Sequence, residues 1–212
     1  MIRVDAEGAV WTLTLDRPDK ANALTAEMLA ALIDAVDRAQ AGDAQVLILT
    51  GAGQVFSAGA DLEAARAGLA KSPLWEDLSA RIAAFDGLSI AALNGTLAGG
   101  ACGMALACDL RLAVPGAKIF YPVMRLGFLP QPSDPGRLAA LVGPARAKML
   151  LMGGVRLRAE EACAWGLVDR VCAPEALLDE ARALAADAAG AAPAHLAAIK
   201  RLIPVEGAGS GS

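Results

Sequence analysis

Short apolar runs in this chain alternate with longer stretches in which every third or fourth residue is apolar, and that alternation predicts strands exchanging with helices. Val10–Leu15 (VWTLTL) alternates large and polar residues, as a strand with one covered face does. Asp16-Arg17-Pro18 ends it. Thr25 can cap the helix that follows. Met28, Leu29, Leu32, Ile33 and Val36 give that helix one apolar face, and Gly42 stops it. Val46–Leu49 is apolar throughout, the pattern of a strand buried on both faces. Strand, helix and strand within about forty residues make a βαβ unit with a right-handed crossover.

Two strand–loop–helix junctions follow. In the first, Thr50-Gly51-Ala52-Gly53 leads to Phe56–Leu62, where Asp61 suits the N-cap of a helix. In the second, a buried strand at Ile90–Leu93 turns at Asn94-Gly95, passes Gly99-Gly100 and enters an apolar helix from about Ala101 to Cys108. A glycine pair before a helix leaves N–H groups uncovered at the positive end of the helix dipole. Such a place holds an anion, or an oxygen about to become one; equally, the glycines can serve close helix–strand packing.

Between the junctions, residues 64–75 are less patterned and include Gly68 and Pro73, which predicts a mobile segment. Leu78–Phe85 reads as a helix feeding the strand at Ile90. Beyond Asp109 the pattern predicts strands at Leu110–Val114, Ile119–Phe120 and Val168–Val171. Helices are expected at Arg137–Val142, Arg146–Met152, Ala159–Trp165, Pro174–Ala189 and Pro193–Ile203. Pro122, Pro130, Pro132 and Pro135 mark an irregular loop. The expected organisation is a core over residues 1–190, a C-terminal helical segment over 191–204 and a flexible tail over 205–212 with the look of a linker or expression scar.

Composition narrows the chemistry. With 212 residues, 56% of them hydrophobic, one compact domain with an ample core is expected. A net charge of -4 with no basic run argues against a nucleic-acid partner. Gly87–Cys108 carries no charge, but its alanines and glycines are weakly apolar and Asn94-Gly95 would break a membrane span. Arg3, Asp5 and Glu7 interrupt any signal peptide, so a cytoplasmic protein is expected. Cys102, Cys108, Cys163 and Cys172 form no Cys-x-x-Cys pair and read as reduced core residues, with no metal site. The single histidine, His195, leaves a Ser-His-Asp or Cys-His hydrolase without support. Gly51-Ala52-Gly53 falls short of a dinucleotide fingerprint, and there is no P-loop. What remains is a pair of junctions whose amides could converge on one oxygen.

Several spaced motifs, in order, then resemble one family. They are LDRPDKANAL, VLILTGAGQVFSAGADL, IAALNGTLAGGACGMALACDLRLA, YPVMRLGFLP, GRLAALVG and AEEACAWGLVDRV. The chain is similar to the crotonase superfamily, the enoyl-CoA hydratase/isomerase family, from about Val10 to Ile203. The resemblance implies an α/β fold: a spiral of βαβ-type turns, two roughly perpendicular sheets, surrounding helices, and assembly into trimers or hexamers. It implies a coenzyme A thioester as substrate or ligand and no permanently bound cofactor.

Carried onto this sequence, the resemblance puts an oxyanion hole at the backbone amides of Ala60 and Gly100. Ala58 would offer its carbonyl to the CoA adenine, and Lys20 and Ala21 match the turn beside the nucleotide. Gly59, Asp61 and Leu62 belong to the same CoA-binding loop, with Asp61 itself a helix cap. Hydratases of the family carry one glutamate where Gly103 stands and another where Val123 stands, and isomerases commonly keep the second. This sequence has neither. The loop departs too, reading Gln131-Pro132-Ser133-Asp134-Pro135-Gly136 before Arg137 where the family is glycine-rich. Asp134 is the candidate substitute acid or base, or else a turn or cap residue between prolines. Glu63, Tyr121, Arg125 and Cys102 are other groups near the departures. Family members often continue past Lys200-Arg201-Leu202 with helices that cover the acyl pocket, so the chain is a short member, a truncated one, or one covered differently.

Three functions stay open at this level. One is an enzyme acting on a CoA thioester through an enolate: an isomerase, a decarboxylase or an unusual hydratase. Another is a non-catalytic acyl-CoA-binding protein that keeps the fold. A serine peptidase on the related spiral fold is disfavoured for want of a histidine partner.

Overall fold

The apolar run at Val46 sits in the middle of the larger of two sheets, covered on both faces as its sequence requires. The computed structural model describes residues 1–42 and 44–203; the proposed tail at 205–212 lies outside them. In chain order the strands are β1 (Ile2–Glu7), β2 (Val10–Leu15), β3 (Val46–Gly51), β4 (Val55–Ser57), β5 (Leu88–Leu93), β6 (Thr96–Ala98), β7 (Leu110–Ala113), β8 (Lys118–Phe120), β9 (Leu157–Arg158) and β10 (Arg170–Val171). The helices are α1 (Ala26–Ala41), α2 (Leu62–Arg66), α3 (Leu74–Ala84), α4 (Cys102–Ala107), α5 (Val123–Leu126), α6 (Asp134–Val142), α7 (Pro144–Leu151), α8 (Ala159–Trp165), α9 (Leu177–Leu184), α10 (Ala186–Gly190) and α11 (Pro193–Leu202).

The larger sheet runs β1-β2-β3-β5-β7-β10, parallel except for the β1–β2 pair. The smaller runs β4-β6-β8-β9, parallel except for β8–β9. The chain visits both sheets on each turn. β3, β5 and β7 in the large sheet are followed directly by β4, β6 and β8 in the small one, and helices return the chain for the next turn. This is the mixed α/β spiral with two sheets and surrounding helices that the motifs imply.

The β2–α1–β3 unit forms as its pattern dictates. Thr25 Oγ1 accepts from Met28 N–H at 3.3 Å, and Met28, Leu29, Leu32, Ala35, Val36 and Ala39 are buried on one face. Asn94 makes the corner between the sheets. Its Oδ1 accepts from Gly51 N–H at 3.0 Å and its Nδ2 donates to Gly53 O at 2.9 Å. Backbone polar groups at the corner are thereby satisfied without a ladder.

The structure departs from the pattern in instructive places. β1 was hidden by Arg3, Asp5 and Glu7, which an edge strand tolerates on its open side. β4 and β6 are three residues each, too short to show a period. α6 begins at Asp134 rather than Arg137, because Pro135 suits a first helical turn. The proline-rich loop holds the short α5. Residues 64–75 are structured, carrying α2, a 3₁₀ turn at Leu69–Lys71 and the start of α3. The single helix expected at Pro174–Ala189 divides into a 3₁₀ turn, α9 and α10. His195 is exposed on α11. Cys102, Cys108, Cys163 and Cys172 are unpaired. Among the described residues no helix is long and apolar enough to cross a membrane, and no group of three metal-ligating side chains forms.

Candidate active site

The two junctions meet backbone to backbone. Gly59 has φ +92, and a Cβ there would stand 2.9 Å from Ala98 O and 3.3 Å from Gly99 Cα. Only glycine fits that approach. Gly99 is also left-handed, at φ +59. Ala60 and Gly100 each follow this contact by one residue. Leu24 N–H donates to Gly59 O, and Asp61 N–H donates to Leu24 O, both at 2.8 Å, forming an isolated parallel bridge between Leu24 and Ala60. The groups flanking Ala60 make that bridge, so the N–H of Ala60 points away from Leu24. Gly100 is the second residue of a 3₁₀ turn, Gly99–Ala101, and its N–H has no acceptor within the turn.

A third segment braces the first junction. Ala21 and Asn22 take left-handed φ values of 50 and 52. The buried Asn22 accepts from Arg17 N–H at 2.9 Å and donates to Ala52 O and Val55 O at 2.9 and 2.7 Å. Ala58 N–H reaches Ala21 O at 3.0 Å, and the Ser57 hydroxyl donates to Asn22 O at 2.8 Å. So Lys20, Ala21 and Ala58 lie on one ridge, with Lys20 and Ala58 exposed. Asp61 caps α2 by accepting from Glu63 and Ala64 N–H groups, and Arg17 Nη1 donates to its Oδ2 at 2.9 Å. Arg17, first, holds the Asp61 carboxyl below its ordinary range, with the helix N–H groups adding to the effect. Leu62 is 76% exposed at the head of α2.

The second half of the site is made by side chains. Asp134, in the first turn of α6, is fully buried. Its Oδ2 accepts from the Tyr121 hydroxyl at 2.8 Å. Its Oδ1 has no hydrogen-bond partner among the described residues. That oxygen stands 2.9 Å from where a Cβ at Gly103 would be, and Oδ2 stands 3.2 Å from it. The carboxylate therefore fills the space a side chain at 103 would occupy. Glycine at 103 and aspartate at 134 are thus coupled in space.

Electrostatics follow from that burial. Loss of solvent pushes the Asp134 carboxyl up to about 6, with the Tyr121 hydrogen bond and the Arg137 guanidinium holding it back and the Glu76 charge adding to the rise. The Tyr121 phenol is pushed well above its usual range, by burial first and then by the Asp134 charge. Burial, aided by Asp134, does the same to the Cys102 thiol, which stays protonated and packed, its Sγ 3.6 Å from Phe120 O. The site thus holds one buried carboxyl that changes charge near neutral pH.

Of the other groups near the departures, Glu63 and Arg125 are exposed, and Val123 is buried at the start of α5. Tyr121 turns inward, because the segment after it coils into α5 rather than running extended. Two contributors carried no sequence signal. The Trp75 ring lies 3.2–3.3 Å from the position of a Cβ at Gly100. The Glu76 carboxylate accepts from both the N–H and the hydroxyl of Ser133. A small pocket of about 20 Å³ behind Cys102 and Tyr121 has room for one water and no substrate. A wider groove of about 480 Å³ follows α11, past Cys108, Leu196 and Ile199, and reaches none of Gly59, Ala60, Gly99 and Gly100.

The sequence profile described as enoyl-CoA hydratase/isomerase matches residues 5–205. Among curated relatives, carnitinyl-CoA dehydratase of Salmonella arizonae is 37% identical over 212 residues, covering 95% of this chain and 79% of the relative. The protein of the same name from Citrobacter koseri is 38% identical over 209 residues, covering 92% and 77%. Among solved structures, enoyl-CoA hydratase from Bacillus anthracis superposes with a TM-score of 0.88 at 32% identity, covering 94% of this chain and 81% of the other. The Geobacillus kaustophilus structure of enoyl-CoA hydratase subunit I gives 0.85 at 37% identity, covering 94% and 79%. The junction glycines, the two-sheet spiral and these matches agree: this chain belongs to the enoyl-CoA hydratase/isomerase family, the crotonase superfamily.

Proposed function

We propose that this protein binds an acyl-CoA thioester, polarises its carbonyl between the Ala60 and Gly100 amides, and moves a single proton with Asp134. The observation that carries the reading is the buried Asp134 carboxyl standing in the space of the missing side chain at 103. Such amides stabilise the charge that develops as the thioester becomes an enolate, and one donor is worth about 10²–10³ in rate. Lys20, Ala21, Ala58 and the Gly59–Leu62 loop then carry the nucleotide end, with Asp61 acting through its cap. Assembly into trimers or hexamers belongs to the same reading.

One carboxyl favours double-bond isomerisation. Asp134 is largely ionised above pH 6 and takes a proton from the α carbon of a 3-enoyl thioester. The electron pair moves onto the thioester oxygen, held by the two amides. The same proton returns to the γ carbon, and the double bond moves from the β,γ to the α,β position. Hydration asks for a base to activate water and an acid to protonate the α carbon, and Gly103 and Val123 supply neither. Each such group is worth about 10²–10⁴, so crotonyl-CoA hydration should run at least about four orders below an ordinary hydratase.

The full burial of Asp134 favours a second reading, in which the protein binds acyl-CoA without turning it over. One set of measurements separates the two. A 3-enoyl-CoA should gain the absorbance of a conjugated thioester in the presence of the protein. The thioester carbonyl should also shift in the infrared on binding, and thioesters should bind more tightly than free CoA. A shift without conjugation supports the binding protein. An unshifted carbonyl with equal affinities removes the oxyanion hole from both.

A further inference from the structure

Trp75 and Glu76 are neighbours in the first turn of α3, and each reaches a different half of the site. Trp75 lays its ring on Gly100, and its Nε1 donates to Leu69 O at 2.8 Å, which fixes the ring plane. Glu76 is half-buried and accepts from the Ser133 N–H at 3.2 Å and from the Ser133 hydroxyl. Ser133 is the N-cap of α6, yet its side chain does not cap that helix. Its hydroxyl is given to Glu76 instead. Hydrogen bonds to an ionised acceptor are roughly twice as strong as neutral ones. Asp134 is the next residue along, so the place of its backbone is set by this clasp as well as by Leu138 and Val142, which bury the rest of α6.

We infer that Glu76 is a positioning residue for the acid: by gripping Ser133 from α3, it holds the Asp134 carboxyl beside Gly103, in register with the junction that Trp75 packs against. The inference rests on the role proposed above for Asp134. Four groups face that carboxyl: Tyr121 from the segment after β8, Cys102 from α4, Arg137 from α6 itself, and Glu76 from α3. Glu76 is the negative one in the set at neutral pH, so it also opposes ionisation of Asp134. Clasp and charge act together: the first sets where the proton is exchanged, the second how tightly it is held.

The two can be separated. Glu76→Gln keeps an acceptor for Ser133 and removes the charge, whereas Glu76→Ala removes both. Carbon-13 detection of the Asp134 carboxyl should give a titration near pH 6 in the unaltered protein, and a lower midpoint in Glu76→Gln. With 3-enoyl-CoA, the acid limb of the rate profile should move down by the same amount. Glu76→Ala should lose about tenfold or more in kcat with KM nearly unchanged, the scale of a catalytic group displaced by a fraction of an ångström. Glu76→Gln should recover most of that loss. Equal midpoints in all three proteins, or kcat held in Glu76→Ala, would overturn the inference. So would a fall in thermal stability with kcat and KM worsening together, which marks a merely structural contact. If no CoA thioester is turned over at all, the reaction proposed above fails, while a midpoint in Glu76→Ala that differs from the one in Glu76→Gln, both being without the charge, still reports the clasp, and equal midpoints in those two variants overturn it.

Discussion

Gly59 and Gly103 are both glycines pressed against a neighbour, and the neighbours differ. At 59 an added Cβ meets the carbonyl oxygen of Ala98, part of a backbone fixed by the small sheet. At 103 it meets the carboxylate of Asp134, the end of a side chain with rotamers to choose from. The first half of the site is therefore written in the main chain and admits almost no variation. The second half is written in side chains carried by a different helix, and a carboxylate can enter its space from 103 or from 134. Under the proposed function, that would let one fold keep its grip on a thioester carbonyl while changing where its acid stands.

The sharpest way to break the comparison is Asp134→Asn. If the side-chain half does the proton transfer, isomerisation of a 3-enoyl-CoA should fall by about 10²–10⁴ while the infrared shift of the bound thioester stays. The same variant should gain stability. The folded carboxyl, near 6, holds its proton more tightly than the unfolded one, near 3.8, so stability falls as pH rises through that interval and the penalty is complete above it. Asparagine carries no such penalty. Asp134→Asn should be more stable than the unaltered protein at pH 7.5, by up to about 3 kcal/mol, with the gap closing toward pH 4. Thermal melts across that range give the sign directly, and equal melts at every pH would mean the carboxyl is better solvated than its burial implies.

Gly59→Ala tests the main-chain half. It forces alanine into φ +92 and against Ala98 O, so the junction must move. Misplacing one amide should cost about 10²–10³ in rate and abolish the infrared shift, with the Asp134 titration unchanged. An intact shift would show that the junction has slack the geometry denies. The mildest change is Gly103→Ala. The carboxylate should yield by a rotamer, lowering the rate by about tenfold and moving its pH profile, while thioester affinity holds. A loss as large as that of Gly59→Ala would erase the distinction between the halves.

The distinction also governs how much could be read in advance. The larger sheet was legible because Val46–Leu49 and Ile90–Leu93 are uninterrupted apolar runs, and α1 because Thr25 and Gly42 bound a clear period. At the main-chain half, Gly99-Gly100 stood out as a glycine pair ahead of a helix, with close packing as an equal reading, while Gly59 and the pairing of the Ala60 and Gly100 amides came only from the family resemblance. The side-chain half was legible only as a deficit at Gly103 and Val123. Asp134 stood among prolines with a cap or turn as the favoured reading, and nothing local says that α6 carries it across to Gly103. Glu76 was invisible for the same reason. It lies 57 residues from Ser133, on a helix whose polar positions resemble those of any solvated face. β4 and β6 escaped because three residues cannot display a period.

Trp75 gives the molecule a built-in optical gauge. Its indole rests on Gly100 and is tethered at Nε1, while Trp11 lies in β2 and Trp165 ends α8 beneath the Arg146 guanidinium. On the proposed reading, a carbonyl seated on the Gly100 amide would alter the field and packing around one of three fluorophores, which would make occupancy readable as emission, with no label and no turnover.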